Sequence, residues 1–254
     1  MENLLFEKII MQYHRYVEHL TLSQEMELKY QHSKNVALVA RQIADFVVPS
    51  QSQQQLVEIA ALYHDIGRYE QFLKYKTFSD RSSEDHAMMG VTIIREQRLF
   101  DGIDTEQQEI LLHAIENHNK KIISPTISPE ATFICRVVRD ADKLDILEML
   151  SSHFQKGNYD VSVSLGLPDD LTYNPLVVND LLGAKTVDFT LMQSLNDFKL
   201  ANLSWVYDLN FAISYVMLYQ QKYLEKIYQS LTVKAPEIDM AYQMVDGICE
   251  AYIH

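Results

Sequence analysis

Apolar residues recur along this chain at three- and four-residue intervals almost from end to end, the spacing of helices that bury one face. From Leu4 to Leu20 the row is Phe6, Ile9, Ile10, Tyr13, Val17 and Leu20. A second helix is predicted from Glu25 to Val48, ending before Pro49, with Leu28, Val36, Val39, Ile43 and Val47 on one side. His32 falls on that side, four residues before Val36. Gln53 to Gly67 repeats the pattern with Leu56, Ala60 and His64 in one row, which aims His64 inward from the end of a core helix. Gly67 fits the C-terminal cap of that helix. Residues 69–82, rich in aromatic and charged side chains, read as a loop.

Ser82 or Ser83 can cap a following helix that carries His86, Gly90 and Ile93, and the bare Cα of Gly90 permits a close helix approach. Thr105 and Gln108 have capping-box spacing for a helix running to His118. His118 continues the row of Leu111 and Ile115; His113, roughly 140° away around the helix, sits with Glu109 and Glu116. Ser128-Pro129 starts another helix, in which Ile134, Val138, Asp142, Ile146 and Met149 share a row. Asp142 alone interrupts that apolar stripe, and a buried carboxylate is costly unless paired or bound to a metal. Asp140, beside Arg136 and Lys143, reads as a partner in surface ion pairs. Residues 157–183 break the regularity with a short alternating stretch, Val161-Ser162-Val163-Ser164, and a small helix from Asn174-Pro175 to Gly183. A long amphipathic helix through Trp205, Leu209, Ile213, Val216, Leu224 and Ile227 follows, then one from Pro236 to Tyr252.

The scarcity of Gly (7) and Pro (6) supports helices over a turn-rich β architecture. With 254 residues, 47% of them hydrophobic, the chain can form one all-α domain over 1–254, its core at 25–150 and a helical elaboration at 151–254. No apolar run approaches the ~20 residues that span a bilayer, and Met1-Glu2-Asn3 opens an amphipathic helix without a cleavable signal pattern. A cytoplasmic protein without membrane contact is expected. Cys135 and Cys249 form neither a metal motif nor a disulfide framework. A net charge of -13 argues against a large nucleic-acid surface, but a small phosphorylated substrate stays compatible with it, because a metal and a few local cations suffice to hold a phosphoryl group. No heptad pattern defines an oligomeric state.

The chemistry gathers around Leu62-Tyr63-His64-Asp65-Ile66-Gly67-Arg68, where adjacent His and Asp offer an imidazole nitrogen and a carboxylate oxygen to one ion. His32 precedes this stretch; His86, His118 and Asp142 follow it. The order His, His-Asp, Asp on an apparently all-helical chain resembles the HD-domain superfamily of metal-dependent phosphohydrolases over roughly residues 25–150. The resemblance implies a helical bundle with additional C-terminal helices, with His32, His64, Asp65 and Asp142 as metal ligands and Asp65 in the catalytic centre. Ala141-Asp142-Lys143-Leu144 is similar to the Ala-Asp-Arg-Leu segment of the stringent-response hydrolases, whose Asp binds the metal. His86, with Gly90 four residues on, is similar to the phosphodiesterase branch, which implies His86 and His118 near a second ion.

Two departures matter. Arg68 stands where that branch has Lys and some nucleotidases have Glu; Arg offers a phosphate fork and is no base at neutral pH. Asn119-Lys120-Lys121 replaces a second His and a Gly-Tyr-Pro triplet, so cyclic-dinucleotide specificity is not implied. The N/O donor set suits Mn²⁺, Fe²⁺, Co²⁺, Ni²⁺, Zn²⁺ or Mg²⁺, as one ion or two. The expected function is hydrolysis of a phosphomonoester or phosphoanhydride of a nucleotide-like small molecule, with Arg68 and Lys143 holding phosphoryl oxygens. Two other functions fit the scaffold: a non-catalytic regulatory domain that keeps its metal, and an oxygenase with two irons.

Overall fold

The computed structural model describes residues 2–48, 50–157 and 165–253; the alternating stretch at 161–164 lies outside them. In chain order the helices are α1 (Glu2–Glu18), α2 (Gln24–Val47), α3 (Gln51–Tyr63), α4 (Gly67–Tyr75), α5 (His86–Glu96), α6 (Thr105–Asn117), α7 (Pro129–Lys156), α8 (Pro175–Leu182), α9 (Leu195–Leu203), α10 (Ala212–Gln220), α11 (Tyr223–Gln229) and α12 (Pro236–Glu250). Among the described residues there is no β-strand, only an isolated bridge between Asp101 and Ile103. None of these helices is long and apolar enough to cross a membrane. The fold is all-α. The chain divides into two compact units, Met1–Asp142 and Lys143–His254.

In the first unit α3 packs on α1, α2 and α6, while α4 lies on α5 and α2. Ile9, Tyr13, Ile43, Ile66, Leu111 and Ile115 are fully buried between them. The buried face of α2 is Met26, Ser33, Val36, Ala37, Ala40, Ile43 and Ala44; Leu28, expected on that face, is 60% exposed. Small residues decide the rotation. Ala37, Ala40 and Ala44 on α2, with Ala60 and Ala61 on α3, leave room for close helix contact, and a row counted from large apolar residues overlooks them.

Residues 69–75, expected as part of a loop, belong to α4, and Gly67 begins this helix instead of capping α3. Its glycine is required by a close approach and not by a left-handed turn. A Cβ at Gly67 would overlap the His86 carbonyl oxygen and stand 2.6 Å from Gly90 N. Caps also differ from expectation: Asp85 caps α5, accepting from Ala87 N and Met88 N, and Asp104 caps α6, accepting from Gln107 N. Ser128 caps α7 as its sequence implies, with a 3.1 Å bond from Ala131 N.

In the second unit every residue of α9 is buried, including Asn196, Asp197, Lys199 and Asn202. Their polar ends hold neighbouring loops: Asp197 accepts from the Asn174 and Gln193 amides, Asn196 donates to Asp170 O, and Lys199 donates to Ser230 O. The long C-terminal helix expected through 205–227 is broken. A 3₁₀ turn at Ser204–Asp208 precedes α10, and Lys222, at φ 56°, separates α10 from α11.

The contact at Gly67 yields a stability test. Gly67→Ala is expected to destabilise by about 1–3 kcal/mol through overpacking against main chain that cannot yield. Gly90→Ala should cost less, because its Cβ would meet the Ile66 Cγ2 methyl at 3.2 Å. Chemical denaturation of both variants ranks the two; equal losses contradict the argument.

Candidate metal centre

His64 ends α3, and residues 64–66 turn the chain into α4, so His64 and Asp65 project from an elbow between two helices. His64 Nδ1 lies 2.6 Å from Ala61 O. A carbonyl only accepts, so the ring proton sits on Nδ1 and the Nε2 lone pair faces inward. That Nε2 is buried without a hydrogen-bond partner, 3.8 Å from Asp65 Oδ2 and 3.7 Å from Asp142 Oδ1. His32, from the middle of α2, brings its Nε2 to 3.1 Å from Asp142 Oδ1 and 3.7 Å from Asp65 Oδ2. A bare imidazole lone pair flanked by two carboxylates and a second imidazole fits a divalent cation.

The other oxygen of Asp65 faces a second set of donors. His86 Nε2 is 3.1 Å from Asp65 Oδ1, and His118 Nε2 is 3.9 Å from it. The two Nε2 atoms are themselves 3.1 Å apart. His118 caps the end of α6 as His64 caps α3, with Nδ1 2.6 Å from the carbonyl of Ile115, again three residues back. His86 opens α5 and turns Nδ1 to Asp80 Oδ2 at 2.7 Å. Asp80 is fixed in turn by Arg68 at 2.9 Å and by Gln71 at 2.8 Å.

Electrostatics follow from this packing. Burial alone would raise the Asp65 carboxyl, yet Lys29, His64 and Arg68, with the bond from His86, hold it well below the ordinary carboxylate range. At Asp142 burial is likewise outweighed, by the His32 hydrogen bond and the His64 ring, and the carboxyl is held down. Burial lowers His64, and burial together with the neighbouring His64 and His86 rings pushes His118 down to about 3. His86 moves upward, because its bonds to Asp65 and Asp80 exceed the opposing effect of burial.

The HD domain family model matches residues 30–147, the segment that supplies His32, His64, Asp65, His86, His118 and Asp142. This segment is an HD domain. No curated protein and no solved structure matches the chain. The superfamily of the HD domain is one of metal-dependent phosphohydrolases, and its members bind divalent metals. In this HD domain two groups of side chains bring their ligand atoms within 4.8 Å of one another in the centre, His32–His64–Asp142 and His64–Asp65–His118; a third, Asp80–Asp85–His86, adjoins them.

His113 is half-buried and belongs to none of these groups. Arg68 approaches Asp65 Oδ1 through Nε at 3.3 Å, while its Nη1 is taken by Gln71, Asp80 and the Phe78 carbonyl. Lys143 is paired with Asp208 at 2.9 Å, within the second unit. The expectation of an exposed Asp140 is overturned: its side chain is 0% exposed, because the buried side of α7 also takes in Val137 and Ala141. Three residues near the ligands were not singled out from the sequence. Lys29 Nζ is 2.8 Å from Asp65 Oδ2, Asp80 holds His86, and Arg139 Nη1 donates to the carbonyls of His118, at 3.0 Å, and Lys120. Lys29 and Arg139 each lie three residues before a candidate ligand, His32 and Asp142, on the same helical face, and that spacing was the available signal.

Asp142→Ala is expected to abolish metal uptake. Asp140→Ala should instead lower stability by about 1–3 kcal/mol, as removal of a buried polar partner does, with metal stoichiometry retained. Metal analysis and denaturation of both variants separate the roles, and loss of metal from the Asp140 variant would contradict them.

The pH dependence of the chelator-stripped protein is a second check. A His118 depressed to about 3 from its ordinary 6.5 binds its proton in the unfolded chain first. Stability is therefore fully present above pH 6.5 and declines as pH falls toward 3. His64 acts in the same direction, whereas the raised His86 contributes an opposite slope at higher pH. His118→Asn should flatten the decline between pH 6 and 4 in thermal melts, which an unchanged slope would refute.

Proposed function

We propose that this HD domain hydrolyses a phosphomonoester or phosphoanhydride of a small, nucleotide-like molecule. The observation that carries this reading is the placement of Asp65, 3% exposed, with Oδ2 toward His32 and His64 and Oδ1 toward His86 and His118. His32, His64, Asp65 and Asp142 are assigned to one divalent ion; Asp65, His86 and His118 are assigned to a second. The mixed N/O donors accept Mn²⁺, Fe²⁺, Co²⁺, Ni²⁺, Zn²⁺ or Mg²⁺. When bound, such an ion supplies Lewis acidity toward phosphoryl oxygens and a water whose ionisation shifts toward neutral pH.

The protein residues prepare this chemistry. His64 and His118 keep their Nδ1 protons on backbone carbonyls, which leaves both Nε2 lone pairs as donors without a proton to displace. Asp80 sets the ring plane of His86 through a bond to Nδ1. Arg68 has Nε and Nη1 engaged, which leaves Nη2 for a phosphoryl oxygen. The net charge of -13 favours a small substrate over a polymer, since a long polyanion would be repelled away from this centre.

The His86–His118 pair also supports a second reading, a two-iron oxygenase. One experiment separates them. Protein stripped by chelator and reloaded with single divalent ions is assayed on a panel of nucleotides and sugar phosphates, with phosphate release and metal content measured. Release that disappears on stripping, returns on reloading and falls at least about 100-fold in Asp65→Asn supports the hydrolase. Two tightly held irons without phosphate release on any panel member supports the oxygenase and ends the hydrolase reading.

A further inference from the structure

Lys29 sits on α2 one turn before His32, so both point from the same face of that helix. Its Nζ is 2.8 Å from Asp65 Oδ2, the oxygen that also faces His32 and His64. The Lys29 side chain keeps 23% of its exposure while Asp65 keeps 4%, so the amine stands between the buried carboxylate and solvent. Its only other described partner is the Phe78 ring, whose centroid is 5.8 Å away, close enough to steady the charge without removing a donor.

The other cations of the first unit near these side chains hold further polar partners, and Arg68 keeps only Nη2 for a substrate oxygen. Arg68 spends Nε and Nη1 on Asp65, Asp80, Gln71 and the Phe78 carbonyl. Lys120 is paired with Asp85, and Arg139 donates to two backbone carbonyls. Lys29 differs from them. Its one described polar partner is a carboxylate oxygen that a divalent ion would itself claim, and an ammonium beside that oxygen would be repelled by the ion while staying tethered by its helix and by Phe78.

Building on the phosphohydrolase reading, we infer that Lys29 binds a nonbridging oxygen of the substrate's phosphoryl group, exchanging Asp65 Oδ2 for that oxygen when the centre is loaded. Its three N–H donors let it keep a long contact to Asp65 and still direct a bond outward. An anion at the mouth then meets positive charge on both sides. Lys29 thereby supplies the cationic contact that the sequence assigned to Lys143.

The test uses the full chain reloaded with Mn²⁺ and inorganic phosphate as the probe, with Lys29→Met and Lys29→Arg beside the wild type. Phosphate affinity is read by titration calorimetry and Mn²⁺ content by elemental analysis. Lys29→Met is expected to keep its Mn²⁺ and to bind phosphate roughly 10- to 100-fold more weakly, as loss of one charge-assisted hydrogen bond implies. Lys29→Arg should recover most of that loss. Unchanged phosphate affinity in Lys29→Met overturns the assignment, and so does a loss that merely tracks lost Mn²⁺. If the Mn²⁺-loaded wild type binds no phosphate at all, the hydrolase reading itself fails, and the role of Lys29 falls with it.

Discussion

A carboxylate removed from water must be met by positive charge or donors on every side, and Asp65 imposes that demand on the whole first unit. Lys29, His86 and Arg68 all answer it, and they come from α2, from the start of α5 and from α4. Because these groups arrive from separate elements, helix packing and site electrostatics become one problem. Shifting any one helix leaves a charge unmatched as well as a cavity unfilled.

The supporting contacts extend outward in the same manner. Two helices end in a histidine whose Nδ1 bonds the carbonyl three residues back, so the backbone of α3 and α6 dictates which ring nitrogen faces inward. Asp80 holds His86 and is itself gripped by Arg68, Gln71 and Asn119. Arg139, one turn before Asp142 on α7, gathers the carbonyls where α6 terminates. His64, His118 and His86 are thus each oriented through Nδ1 by a group on the far side of the ring from the centre.

The helical class and the convergence of His32, His64, Asp65 and Asp142 were legible in the sequence, because periodicity and the His-Asp pair are local signals. His86 and His118 were placed by helical phase, which holds over a turn or two. Other features escaped for identifiable reasons. The α2 face was misphased because alanines carry packing without hydrophobic bulk. Residues 69–75 were taken for a loop because their polar and aromatic composition masked a short helix stabilised by contact with α5. Asp140 looked exposed because charged neighbours in sequence suggested surface pairs, whereas its burial depends on tertiary contacts. Lys29 offered only its spacing of three from His32, since the partner that gives it meaning lies 36 residues away.

The crossing of α4 and α5 has an evolutionary side. Main chain abuts main chain where Gly67 meets His86 and Gly90, so the separation of these helices is indifferent to the side chains around them. The connection from residue 76 to residue 85 joins two helices held together by that contact, and it carries Phe78 beside Lys29. Descendant sequences can exchange this segment, provided that a carboxylate still reaches His86, without displacing a ligand. Sequence can drift in this piece of chain while the helices that carry the candidate ligands keep their spacing.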